Sequence, residues 1–418
     1  MKKRLLALLL SAAMIFALAA CGGGETGGST PPASTKPSGD PTVTAPGPAT
    51  DGEKTIKVGL ICIGDENDQG YTFNFIRGKE AATTALEAEG IKIEWVVKFN
   101  IGEDSTCEDA NIELAEEGCD LIINNSFGFE EFMLKVAPDY PEIEFIACTN
   151  MGSSFSDLPN VHNAFANIYE GRYLAGVTGG LKLQELIDTG KIKPEEAVIG
   201  YVGAFPFAEV ISGFTSFYLG AKSVCPSVTM KVKYVNSWSN ATEEANAATA
   251  LCDEGAKLIS QHSDNATPAT AAQAKGAFHC GYNNDMTGVA PEASLISTRI
   301  DWSPYFQYAI KSVVNGEKFD KDWTAGYGAG SVALTTLNEK IAAPGTADKL
   351  AKVEAGLADG SIHPFQGPWT GTGTAFGADG PDTKVMAEGE FYQESDVKGG
   401  GTSAPSFYWI IEGITAES

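Results

Sequence analysis

The sequence predicts an α/β fold in two lobes. Short β-rich runs alternate with segments of helical period, the runs are too many for one small sheet, and a chain of 418 residues with 43% hydrophobic and 20% charged residues supplies a sizeable core. Parallel strands need crossovers, so this β-α-β rhythm implies helices layered over parallel sheets.

The β-rich runs, in order, are 56–63, 91–97, 119–124, 143–148, 198–203, 230–235, 257–261, 277–281 and 293–298. Between most of them, polar and apolar residues recur at helical spacing over 73–89, 110–117, 169–181, 213–221, 243–253 and 266–275. The division between lobes is expected within 154–180, where Asp157-Leu158-Pro159-Asn160 precedes a helix of small residues containing Ala175, Gly176, Gly179 and Gly180. The chain is expected to return to the first lobe after Ile300. The first lobe is thus 56–170 with 301–418, the latter including a C-terminal covering segment whose part 367–377 reads as irregular, and the second lobe is 171–300.

Ahead of this body, Met1-Lys2-Lys3-Arg4 is basic, residues 5–20 are mostly apolar, and Leu18-Ala19-Ala20-Cys21 is followed by three glycines. A run this short with these flanks reads as a cleaved signal, 1–20, rather than a spanning helix. The stretch before Cys21 resembles the bacterial lipobox, which implies that Cys21 receives diacylglycerol and anchors the protein to the cell membrane, outside the cytoplasm. Residues 21–55 are largely Gly, Pro, Ser and Thr, a composition that cannot offset the entropy of ordering. Such a tether, at ~5–6 Å × √n, reaches a root-mean-square ~30 Å.

Composition excludes several functions. Against 29 Lys and Arg stand 54 Asp and Glu, a formal charge of −25 that repels phosphate backbones, so nucleic acid is not an expected partner. Eight cysteines without a C-x-x-C pair make neither a zinc framework nor a disulfide scaffold. Nucleophile-elbow, H-E-x-x-H and Walker patterns are lacking, and His162, His262, His279 and His363 are scattered. No catalytic residue, metal or cofactor is therefore assigned.

In open α/β sheets ligands sit beyond the carboxyl ends of strands, which directs attention to the loops that follow them. After the first run, Asp68, Tyr71 and Thr72 lie in a polar loop that opens into a helix. After the third come Asn125, Ser126 and Phe127, amides and a hydroxyl beside an aromatic, suited to reading a heterocycle. Phe205 and Phe207 follow a second-lobe strand, Ser263 and Asp264 another, and Asn283 and Asp285 a third, where a carboxylate can accept two hydrogen bonds from a vicinal diol. Tyr71 and Phe73 equally suit a core staple, the Asn125 loop a simple turn, and Asp264 a helix cap.

Taken in order, Asp68-Gln69-Gly70-Tyr71 through Gly78, Asn125-Ser126-Phe127-Gly128-Phe129, Tyr169-Glu170-Gly171-Arg172-Tyr173-Leu174-Ala175-Gly176 and Gly281-Tyr282-Asn283-Asn284-Asp285-Met286 resemble the basic membrane protein family. The resemblance extends from about Lys57 to Tyr408-Trp409. It implies two Rossmann-like lobes joined by a hinge, a type I periplasmic-binding-protein-like fold. It also implies a lipid-anchored substrate-binding protein of an ABC importer, whose partners are a purine nucleoside or related purine, the permease and its ATPase subunits.

By motif position, Tyr71 would stack on the purine from the first lobe, where relatives more often show Phe, and Phe207 or Phe205 would face it. Asp285 would hold the ribose, with Asn283 standing in for the other acid of an Asp-x-Asp stretch. Arg299-Ile300-Asp301-Trp302, with Trp302 also assigned to the site, occupies the place where many relatives have a lysine. A free base or another flat, uncharged heterocycle remains open. None of the loops has the Arg and Lys cluster that a phosphate needs. A sugar receptor, an exported nucleoside hydrolase using Asp65, Glu66 and Asp68 for a metal, and a surface adhesin are the alternatives.

Overall fold

The computed structural model describes residues 54–374 and 382–417. The signal segment 1–20, Cys21 and nearly all of the tether lie outside the described residues.

The first lobe begins β1 (Lys54–Ile61), α1 (Tyr71–Ala88), β2 (Ile91–Lys98), α2 (Ser105–Glu116), β3 (Leu121–Asn124), α3 (Glu130–Val136), β4 (Glu144–Ala147), α4 (Met151–Phe155) and β5 (Val161–Ala164). The second follows as α5 (Ile168–Asp188), β6 (Val198–Gly203), α6 (Ala208–Lys222), β7 (Thr229–Tyr234), α7 (Ala241–Asp253), β8 (Leu258–Gln261), α8 (Thr267–Ala274), β9 (Phe278–Tyr282) and β10 (Ser294–Ile300). The chain then runs through α9 (Ser303–Asn315), β11 (Asp322–Trp323), β12 (Val332–Leu334), α10 (Thr346–Asp359), β13 (Trp369–Gly373), β14 (Thr383–Met386), β15 (Trp409–Ile411) and β16 (Ile414–Glu417).

Among the described residues the strands form sheets in the orders β11-β5-β4-β3-β1-β2, β12-β10-β9-β8-β6-β7-β16 and β14-β13-β15. The central strands β3 and β8 are buried throughout, as expected of parallel strands covered on both faces. On the first lobe α1 and α9 pack together through Phe75, Trp302 and Phe306. The small residues of α5 are a packing seam: a Cβ on Gly176 would strike the carbonyl oxygen of Phe217 in α6, and one on Gly220 that of Tyr173. Only glycine permits these backbones to approach so closely.

The strand β5 has no apolar run to announce it. Its Val161-His162-Asn163-Ala164 is buried because each polar group has a partner: His162 meets Glu144 and the Asp320 carbonyl at 2.9 Å, and Asn163 donates to Ser403 Oγ at 2.8 Å. Among the described residues the seven cysteines, Cys62, Cys148 and Cys280 included, are free thiols.

The expectation that 301–418 returns to the first lobe is corrected. While α9 and β11 lie on the first sheet, β12 pairs antiparallel with β10, and β16 pairs parallel with β7, so both outer edges of the second sheet are covered by late segments. Residues 369–373, expected to be irregular, form β13 between β14 and β15. The segment before β15 also reaches back to the first lobe. The Ser403 N–H donates to Asp322 Oδ2 at 2.9 Å, and the Ser154 and Thr402 hydroxyls are 2.6 Å apart. Its other end is held in the second lobe by buried Glu394, which accepts from Ser212 Oγ at 2.6 Å.

Candidate ligand cleft between the lobes

The carboxyl ends of the two sheets face each other across a seam of backbone and amide contacts. At the start of α1, Asp68 accepts from the N–H groups of Gly70, Thr72 and Phe73 at 2.8, 3.1 and 3.0 Å, filling the role of a cap for otherwise unpaired helix donors. Burial nonetheless pushes its carboxyl above the usual range. Thr72 Oγ1 accepts from Gly64 N–H at 3.1 Å and from Asn125 Nδ2 at 3.3 Å, and Asn125 Oδ1 accepts from Ile63 N–H at 3.0 Å. These polar groups knit two first-lobe loops to each other.

This framework presents the start of α1 to the second lobe. Asp264 Oδ1 accepts from Tyr71 N–H at 3.1 Å and Asn283 Nδ2 at 2.8 Å, while Asn283 Oδ1 accepts from Asn74 Nδ2 at 2.7 Å. Nearby, Asn284 Nδ2 donates to Gln69 Oε1 at 2.9 Å. Gly70 is required at this contact: an added Cβ would lie 2.5 Å from the Asp264 Cβ and 2.7 Å from its carbonyl oxygen.

Beside the seam is a narrow pocket, lined by Ile63, Tyr71, Ser126, Phe127, Cys148 and Thr149 from the first lobe and Glu209, Trp238, His262, Asp264 and Tyr282 from the second. An open groove adjoins it, sharing Ile63, Trp238 and Asp264 and adding Asp68 and Phe205. Phe207 stacks on Phe127 across the lobes, with centroids 5.1 Å apart, and on Phe205 at 5.0 Å.

Of the residues assigned from sequence, Tyr71, Ser126, Phe127 and Asp264 line this cavity, and Asp68 and Phe205 the groove. Thr72, Asn125 and Asn283 are buried in the hydrogen bonds described, Ser263 is buried nearby, and Trp302 packs beneath Tyr71 and Phe75. Two expectations are corrected. Asp285 is exposed, and its carboxylate accepts the Thr287 N–H at 2.8 Å in a local turn, because the left-handed Asn283 (φ 69°) turns the chain outward after β9. The aromatic facing Phe207 is Phe127, whereas Tyr71 sets its ring edge-on to Phe75 and donates its hydroxyl to the Cys148 carbonyl at 3.1 Å.

Sequence reasoning missed Glu209, Trp238, His262 and Tyr282 as cavity residues. Trp238 lies in Asn236-Ser237-Trp238-Ser239, directly after β7, where the strand-end rule would have found it. The other three are ordered by Arg172, which is fully buried on α5. Its guanidinium lies 3.6 Å over the Tyr282 ring, Nη1 donates to the Gln261 carbonyl at 2.6 Å, and Nη2 to His262 Nδ1 at 3.2 Å. Arginine only donates, so His262 Nδ1 accepts and its proton resides on Nε2, 3.2 Å from Glu209 Oε1. Burial, reinforced by Arg172, pushes His262 down to about 4 and keeps it neutral.

Two lobes with a cavity between facing sheet ends are the architecture of a clamping receptor, and the comparisons identify which kind. A family model described as ABC transporter substrate-binding protein PnrA-like matches residues 55–356. The chain belongs to this Bmp family. A purine-binding protein of Brucella abortus is 33% identical over 77% of this chain and 86% of its own length. A putative ABC transporter glucose-binding protein of Haloferax volcanii is 30% identical over 66% of each chain. The fold is shared with an ABC transporter solute-binding protein from Aeropyrum pernix (TM-score 0.61, 16% identity, covering 74% of this chain and 93% of that one). It is also shared with one from Conexibacter woesei (TM-score 0.57, 20% identity, 74% and 98%). As a Bmp-family substrate-binding protein, the chain takes a small-molecule ligand outside the cytoplasm for a membrane transporter. Residues 357–417, with the β13 sheet and β16, lie beyond the matched region.

Proposed function

We propose that this protein is a lipid-anchored receptor for an ABC importer and binds a purine, as nucleoside or free base, between its lobes. The supporting observation is the cavity wall, which combines aromatic rings from both lobes with hydrogen-bonding side chains. A planar base stacks on such rings for ~1–3 kcal/mol per contact, and its polar edge is discriminated because a mismatched group stays unpaired. The purine-binding relative at 33% identity favours the same ligand class. Ligand that contacts both lobes favours the state in which they meet, a population shift that the permease can sense. The work is capture and delivery, with no covalent step.

Calorimetric titration with adenosine, guanosine, inosine, the free bases and ribose tests this reading. Binding of at least one purine and none of ribose is expected. The glucose-binding relative supports a second reading, a sugar receptor, which replaces the first if a sugar binds and every purine fails. For the anchor, Cys21 is expected to take up labelled fatty acid in cells and Cys21→Ala to abolish that label. Equal labelling of both would remove the anchor.

A further inference from the structure

Glu209 is one of two carboxylates in the wall of a pocket that also carries the rings of Tyr71, Phe127, Trp238 and Tyr282; it is 13% exposed, and its place there is built rather than incidental. Arg172 donates to His262 Nδ1, His262 donates from Nε2 to Glu209 Oε1, and the carboxylate is thereby aimed from the start of α6 into the space between the lobes. A carboxylate only accepts hydrogen bonds, so the ligand edge opposite must carry N–H or O–H groups. Asp264, across the same cavity, already accepts from Tyr71 and Asn283.

Resting on the purine reading above, we propose that Glu209 is the residue that reads the base, accepting the N1–H of a 6-oxopurine and so selecting hypoxanthine and guanine types over adenine. Adenine offers an unprotonated N1 at the same position, whose lone pair would face the carboxylate. Guanine adds an amine next to N1–H, which allows a two-point contact with one carboxylate. Arg172 and His262 act as positioning residues. A histidine held neutral donates to Glu209 without neutralising it, which leaves the acceptor strength for the ligand.

The test is calorimetry on the full mature chain with guanosine, inosine and hypoxanthine, against adenosine and adenine, and against 1-methylinosine and 1-methylhypoxanthine, which lack the N1–H. Wild-type protein is expected to bind the 6-oxopurines about 10- to 100-fold tighter than either comparison group, the scale of one hydrogen bond to a charged partner. In Glu209→Gln the ratio of hypoxanthine to adenine affinity should collapse toward one, with a melting curve showing that the variant is folded. The methylated ligands test the same contact on unaltered protein. Equal or tighter binding of adenine, indifference to N1 methylation, or an unchanged ratio in the variant would overturn the Glu209 assignment while leaving the purine reading intact. Failure of every purine to bind wild type would remove that reading and this assignment together.

Discussion

Phe127 and Phe207 belong to different lobes, yet their rings stack with centroids 5.1 Å apart and planes inclined by 22°. At that distance nothing planar fits between them, and Phe127 also lines the pocket beside the pair. The stack therefore joins the two lobes at the edge of that pocket.

Phe127→Ala should weaken purine binding by about 5- to 100-fold, the scale of one lost aromatic contact, with little change in the melting temperature of the unliganded protein. Titration calorimetry measures the first and scanning calorimetry the second. Wild-type affinity in the variant would exclude Phe127 from the site.

Gly70→Ala introduces a methyl where the backbone of Asp264 already stands. Each lobe should fold normally, while their meeting is obstructed, so ligand affinity falls by about tenfold or more, a 1.4 kcal/mol handicap on the liganded arrangement. Small-angle scattering with saturating ligand should show a larger radius of gyration than wild type. Identical scattering would mean that the close approach at Gly70 does not control the meeting of the lobes.

Asp322 fastens the C-terminal segment to the first lobe by accepting the Ser403 N–H and hydroxyl and the Asn163 amide. Asp322→Ala leaves the buried Ser403 N–H and hydroxyl donors without their acceptor and should destabilise the protein by about 2–4 kcal/mol in denaturant unfolding. A loss below about 0.5 kcal/mol would show that this attachment is not retained in solution.

Glu394 makes stability depend on pH. Burial pushes its carboxyl up to about 7, against the lowering effect of hydrogen bonds from Ser212, Phe407 and Ser406. A carboxyl raised in the folded state contributes stability below about pH 4.5 that is lost as pH rises through about 7, because the folded chain then holds the proton more tightly than the unfolded one. Glu394→Gln cannot ionise, so it should gain on wild type by roughly 3 kcal/mol between those limits. Melting temperatures of the two proteins from pH 4 to 8 measure this. Parallel curves would rule it out.

Local sequence signals account for much of the fold. The runs that became β1, β3, β4, β6 and β8 are apolar enough to be read as buried strands, and their helices show the matching period. β5 escaped because its burial rests on partners for His162 and Asn163 that lie far along the chain, at Asp320 and Ser403. The late segments were misassigned for a related reason. β12 and β16 are short strands with one neighbour each, and which sheet edge they join is decided by the edge left open.

The same division runs through the cleft. Tyr71, Ser126, Phe127 and Asp264 could be found because strand-end loops in an α/β sheet face ligand whatever their detail. Asp285 could not be dismissed and Glu209 could not be chosen, since both are acids close after a strand. One is turned outward by the left-handed Asn283, and the other is aimed inward by His262 and Arg172. By itself, then, the sequence determined the layered α/β body and the loops that face the cleft, because periodicity and strand order are local properties of a chain. Tertiary structure alone decided which ring meets which and which carboxylate faces inward, because those depend on partners brought together from distant positions and on the burial that follows.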